Sequence, residues 1–197
     1  MARTQANDYG DKRRAILKSA AALFGEEGYE RTPMSAVARA CGVSKALLYH
    51  YYISKEALLF DIINDHLDEL IDAVSGADDT TLAPEKRLRA LVGALLEHYR
   101  DADDEHRVQI NALSSLPDNQ QRILKQQERR LVNHFSDVIG AIQPDLADGR
   151  QLLKPVTMSL FGMLNWHYMW FRPDGSISRE DYADIATRLI IEGARGL

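Results

Sequence analysis

A single cysteine, Cys41, occurs among the 197 residues. No intrachain disulfide can form, and a reducing, cytoplasmic setting is expected. No apolar run approaches the roughly 20 residues needed to span a bilayer. The opening segment MARTQANDYGDKRR has no apolar stretch of the secretory kind. The period-two alternation of half-buried strands is absent, as are internal repeats and low-complexity tracts. There is no phosphate-cradling glycine loop, zinc-protease helix or nucleophile elbow, so neither an enzyme nor a bound cofactor is expected. Asp61, Asp65 and His66 fall near one helical turn, and His98 and His106 flank the acidic run DADDE. A metal needs several ligands converging on one point, and these residues read as solvated faces instead.

What is present is ordinary in amount and uneven in placement. Hydrophobic residues make up 45% and charged residues 27%, as in globular proteins that bury a real core. The net charge is −5, which argues mildly against nucleic acid if evenly spread. Residues 1–55, however, hold nine Lys and Arg against five Asp and Glu (+4), leaving 15 against 24 (−9) for the rest. A basic head on an acidic body implies that only the head meets a polyanion.

Nearly every segment has helical periodicity, so the expected fold is all-α with about nine helices. DKRRAILKSAAALFGEEGYE places Ile16, Ala20, Leu23 and Phe24 on one stripe, with Gly28 near its end. Thr32-Pro33 suggests an N-cap with proline at the first helical position of PMSAVARA. Gly42 breaks that helix, Ser44 caps SKALLYHYY, and Ser54 caps a long helix to about Val74. That helix keeps Leu58, Leu59, Ile62, Ile63, Leu67, Leu70 and Ile71 inside, and SGADDTT follows as a linker. Further helices are expected at 84–103, about 105–115, 118–142, 150–171 and 178–195. A domain boundary is placed near residue 55.

Two short helices joined by a glycine turn make a helix-turn-helix, whose second helix can enter a DNA major groove. Ala38 is small enough to let the pair approach closely, and Val37, Val43, Leu47 and Leu48 supply the apolar contacts between them. Consecutive helix residues point about 100° apart, so Tyr49, His50, Tyr51 and Tyr52 cannot all face one core. Tyr52 turns inward. Ser44, Lys45, Ala46, Tyr49 and His50 point outward, with Tyr51 at the rim, where hydroxyls, imidazole and ring edges can meet phosphate, sugar or base. Lys55 at a helix N-terminus suits a phosphate, and Thr32 offers a hydroxyl at the start of the first short helix. The bland alternative is a helical hairpin whose tyrosines merely pack.

TPMSAVARACGVSKALLYHYYISKEALL resembles the DNA-binding head of TetR-type (tetracycline-repressor-like) transcriptional regulators, and the resemblance covers residues 12–60. It rests on the Gly-Val-Ser turn, the Leu-Tyr-x-x-aromatic motif and the Ser-Lys-Glu-x-Leu start of the fourth helix. Tyr52 stands where phenylalanine is usual, and Ile53 where proline or a polar residue is common. The resemblance implies a three-helix DNA-binding domain over residues 1–55 and a helical ligand-binding and dimerisation domain over 56–197. It also implies a homodimer bound to double-stranded palindromic operator DNA and released by a small-molecule effector, without membrane attachment. By motif position, Thr32, Ser44, Lys45, Ala46, Tyr49, His50 and Lys55 fall where such proteins contact DNA.

The body is less legible. SLFGMLNWHYMWFRPDG, residues 159–175, concentrates Phe161, Trp166, Tyr168, Trp170 and Phe171. With Ile185, Leu189 and Ile190 these can form core and a dimer interface. They can equally line a pocket with Asn165 and Tyr168 as its placed polar groups. The stretch also resembles the C-terminal part of TetR-type regulators that sense acyl-CoA thioesters. A CoA ligand would need cations for its phosphates, with Arg100, Arg107, Arg122 and Arg172 as candidates. Leu95, Ile110 and Leu113 could line an apolar slot. The ligand-binding set is therefore Leu95, Tyr99, Arg107, Ile110, Phe161, Asn165 and Tyr168, for an acyl-CoA thioester or another apolar effector.

Overall fold

The computed structural model describes residues 2–148 and 151–197. Among them are nine helices of seven residues or more, one four-residue helix and no strand. In chain order these are α1 (Ala2–Glu27), α2 (Met34–Ala40), α3 (Lys45–Tyr51), α4 (Lys55–Ala77) and α5 (Pro84–His98). There follow α6 (Asp103–Ala112), α7 (Asp118–Ile142), α8 (Leu153–Asn165), α9 (His167–Trp170) and α10 (Arg179–Arg195). The all-α expectation holds.

Contacts divide the chain into two compact units, one comprising the residues up to Leu67 with Ala102–Lys125, the other Asp68–Asp101 with Gln126–Leu197. In the first unit α1 packs on α2 and α6, and α2 packs on α3. Ile16, Leu17, Ala20 and Phe24 of α1 share a buried stripe, and Met34, Val37, Leu48 and Tyr52 are buried with them. The α1–α6 approach is close: a Cβ at Gly25 would lie 3.2 Å from the Asp104 carboxylate. In the second unit α10 packs on α5 and α8. Leu88, Leu91, Val92 and Leu95 of α5, Leu160 and Leu164 of α8, and Ala183 and Ala186 of α10 are all buried.

Several boundaries differ from the expectation. α1 begins well before Asp11 and carries Tyr9. α4 runs on to Ala77, taking in the first three residues of the segment expected to be linker. Buried Val74 supports that turn, and an exposed helical glycine such as Gly76 costs only about 1 kcal/mol. The expected helix at 84–103 ends at His98, and a short 3-10 turn takes the chain from Tyr99 to Asp101. The expected helix at 150–171 is two, interrupted at Trp166; residue 150 lies outside the described residues.

The Thr32 N-cap is also corrected. Pro33, extended at ψ 153°, occupies the N-cap of α2, and no side chain caps it. The Thr32 hydroxyl instead donates to the Gly28 carbonyl at 2.8 Å, closing the end of α1. Gly28 and Gly42 take the left-handed conformation, φ 87° and 63°, which glycine enters without the steric cost of a side chain.

Candidate functional site

α3 is seven residues long, and only Leu48 among them is buried. Its start is fixed by Ser44, whose hydroxyl accepts the Leu47 backbone N–H at 3.1 Å. Its end is fixed by Tyr52, which is 4% exposed. Pinned at these points, the helix leaves Ser44, Lys45, Ala46, Leu47, Tyr49 and His50 exposed together. The Lys45 ammonium lies 5.8 Å from the centroid of the Tyr49 ring, so the cation and the ring form one outward group. Leu47 departs from expectation. It is 38% exposed because Leu47 and Leu48 point about 100° apart and only one of them can face α2.

Lys55 and Thr32 are placed less freely. The Lys55 ammonium sits 4.1 Å from the centroid of the Tyr29 ring and donates to the Glu30 carbonyl at 3.4 Å. Burial raises the Tyr29 phenol to about 12. An ammonium has three donors, so Lys55 keeps capacity for a phosphate. The first turn of α4 is already served: the Ser54 hydroxyl accepts the Ala57 N–H at 3.1 Å. The Glu56 carboxyl is held below its ordinary range by its own backbone N–H and then by Ser54. The ammonium, rather than the helix terminus, is what remains there for an anion. Thr32 is fully buried with its hydroxyl committed to Gly28, so it has no surface to offer DNA, and the expectation of a DNA-contacting Thr32 is corrected.

Behind this surface Arg13 of α1 reaches Asp61 at 2.8 Å and Asp65 at 2.5 Å, both on α4. The guanidinium is held further above its ordinary value, chiefly by Asp65. The two carboxylates therefore clamp α1 to α4 and are not a solvated face. The histidines also differ from expectation: His66 and His106 are buried, with ring centroids 5.9 Å apart. Among the described residues no group of three or more His, Cys, Asp or Glu side chains could hold a metal ion. No described helix is long and apolar enough to cross a membrane.

The effector candidates fall in both units. In the first, Arg107 pairs with Asp104 at 3.3 Å and Ile110 is exposed. Arg107 also lines a cavity of about 310 Å³ with Phe24, Tyr29, Arg31 and Asn111. In the second, Leu95 and Phe161 are buried, and the Tyr99 hydroxyl donates to Asn165 Oδ1 at 3.0 Å. Phe161 meets Phe135 edge-on at 5.0 Å, and Tyr168 is half-buried. Of the four arginines considered for phosphates, Arg100 pairs with Glu97 at 2.6 Å. Arg122 and Arg172 are exposed.

The sequence reading did not single out His167. It is buried between Phe171 and Tyr182, with ring centroids at 4.3 and 5.1 Å and near-parallel planes. Burial, and secondarily Arg179, lowers it to about 4. The crowding of rings over 166–171 was the available signal. Trp166, Met169 and Trp170 lie exposed in that same stretch, as do Ile185 and Leu189 on α10.

Residues 16–62 match the family of bacterial regulatory proteins named tetR, and residues 81–194 match the tetracyclin repressor-like C-terminal domain. A TetR-family transcriptional regulator from Bordetella parapertussis 12822 superposes with a TM-score of 0.86 at 36% identity, over 94% of this chain and 96% of that one. AibR, solved in complex with isovaleryl coenzyme A and operator DNA, has a TM-score of 0.76 at 29% identity, over 91% and 98%. The repressor KstR2 of Mycolicibacterium smegmatis is 24% identical over 189 residues, 92% of this chain and 90% of that protein. Other curated regulators match over 81 to 98 residues, and the chain spans only 32% to 45% of their length.

Proposed function

This chain belongs to the TetR family of bacterial regulatory proteins, and we propose that it is a homodimeric, cytoplasmic repressor released from operator DNA by a small apolar effector. The observation that carries the reading is α3 itself. A seven-residue helix with one buried side chain and a contiguous outward face of Lys45, Ala46, Tyr49 and His50 has the form of a groove-reading helix. A hairpin that merely packed its tyrosines would bury Tyr49, which is 41% exposed.

In this reading residues 1–55 are the DNA-binding domain and 56–197 the ligand-binding and dimerisation domain. Two α3 helices of the dimer enter successive major grooves about 34–36 Å apart, or a multiple of that. Lys45 and Lys55 meet phosphates or a guanine edge, while Ser44, Ala46, Tyr49 and His50 meet sugar and base edges. The exposed apolar side chains of α8 to α10, Trp166, Met169, Trp170, Ile185 and Leu189, supply the dimer interface. Leu95, Tyr99, Phe161, Asn165 and Tyr168, with Arg107 and Ile110, remain the effector candidates. Acyl-CoA thioesters are the class to test first, because AibR was solved with isovaleryl coenzyme A. α4 has 23 residues, about 35 Å at about 1.5 Å each. Lys55 and the buried Leu70 and Ile71 are on this one helix, so a ligand acting on its far half acts on the element that carries a DNA contact. The effector must prefer the DNA-incompetent state, since equal affinity for both states shifts nothing.

The test is fluorescence-anisotropy titration against the upstream intergenic duplex, repeated with acyl-CoA thioesters and their free acids. Salt-sensitive binding released by a thioester and not by its acid supports the whole reading. Binding that no thioester releases removes the CoA class, and no binding there or to a random duplex library removes the regulator. Tyr49→Ala should lose about 1–3 kcal/mol of operator affinity while non-specific binding holds. Lys55→Ala should weaken all sequences alike and flatten the log–log salt dependence by about one unit.

A further inference from the structure

Tyr9 has no part in the contact set above, yet it touches the reading helix. Its ring stacks on Tyr51 with centroids 4.7 Å apart and planes at 19°. Tyr51 in turn meets the His50 ring edge-on at 6.0 Å and 87°. The three rings form a train from α1 to the outward face of α3. Tyr51 is the last residue of α3 and only half-buried, and Leu48 is the one core anchor of that helix. Tyr51 is therefore not one of the buried core side chains, and the Tyr9 ring supplies a wall against its face.

We propose that Tyr9 is a positioning residue of the DNA-reading surface, holding Tyr51, and through it His50, in one orientation before DNA arrives. The proposal rests on the DNA-binding reading of α3. Tyr9 is itself 48% exposed, so the stack buries little area and contributes mainly order. Side chains ordered in advance lose less freedom on binding. The benefit falls on the contacts His50 and Tyr51 make, and so on base preference rather than general attraction to DNA. The hydroxyl of Tyr9 has no part in this; the ring face does the positioning.

The experiment uses full-length protein and the duplex that wild type selects from a random library. Tyr9→Ala should bind that duplex roughly 3- to 10-fold more weakly, the range expected for losing one aromatic pair. It should also discriminate less at the base pairs whose substitution wild type resists. Tyr9→Phe should match wild type within about twofold, and non-specific affinity and salt slope should not move. In a Tyr51→Ala background, Tyr9→Ala should add no further loss, because its effect passes through Tyr51. Helical content by circular dichroism confirms that α1 is intact. Wild-type affinity and base preference in Tyr9→Ala would overturn the proposal while leaving the regulator standing. So would equal losses in Tyr9→Phe and Tyr9→Ala, which would make the hydroxyl a direct contact, or additive losses in the double variant. If wild type selects no duplex, the DNA-binding reading fails first and takes the proposal with it.

Discussion

Leu48→Ala is expected to destabilise the first unit by about 2–5 kcal/mol, the range for a fully buried leucine whose site collapses only partly. Its neighbour Leu47→Ala should change stability by about 0.5 kcal/mol or less, as exposed substitutions do. Leu48 has no solvent exposure and Leu47 has 38%. Because Leu48 is the one buried residue of α3, its loss removes what holds that helix against α2. Operator binding should fall with it. Chemical denaturation followed by circular dichroism, alongside anisotropy on the same duplex, separates the two effects. Equal destabilisation by both variants would mean that α3 is turned about its axis relative to the arrangement described here.

That pair also shows where sequence reading ran out. Both leucines read as apolar contacts, with Leu48 turned partly inward, and so short a helix offers no repeat to show that Leu47 points away. The long helices were legible because their stripes repeat over several turns: Leu58, Leu59, Ile62, Ile63, Leu67, Leu70 and Ile71 are all buried as read. Local chemistry was equally legible where it acts within a turn, as with Ser44 accepting the Leu47 N–H, Ser54 accepting the Ala57 N–H, and Gly42 at positive φ. Contacts between residues far apart in the chain were not. Arg13 with Asp61 and Asp65, Tyr9 on Tyr51, α6 against α1 and the burial of His66 and His106 depend on the assembled core, which no local pattern reports. Thr32-Pro33 failed for a related reason: two carbonyl or amide partners were within reach of one hydroxyl, and the end of α1 won over the start of α2.

His167→Phe is expected to remove most of an acid sensitivity that wild type should show between about pH 6.5 and pH 4. The wild-type ring is 2% exposed, is sandwiched by Phe171 and Tyr182, and has no hydrogen-bond partner for its Nε2. Taking an imidazolium into that stack costs hydration, and the Arg179 guanidinium above Phe171 at 4.5 Å adds repulsion, so the folded value drops to about 4. The unfolded chain titrates near 6.5. Between the two values the unfolded state binds the extra proton and the folded state does not, so stability falls as the pH falls through that window. Above the unfolded value both states are neutral and the group has no pH-dependent effect. At pH 4 the loss approaches about 3 kcal/mol, from about 1.4 kcal/mol per unit of separation. Phenylalanine keeps the ring stack and has neither a titrating nitrogen nor a buried unpaired one. The variant should therefore equal or exceed wild-type stability at neutral pH and keep it down to pH 4, apart from what the carboxylates contribute. Urea unfolding of both proteins at pH 7, 6, 5 and 4 reads this directly. Parallel decline of the two curves would show that the acid sensitivity of this window resides in other groups, and Asp78 is not one of them. Its carboxyl is held low by Arg87 and then His134, so it loses its contribution only below the ordinary carboxylate range.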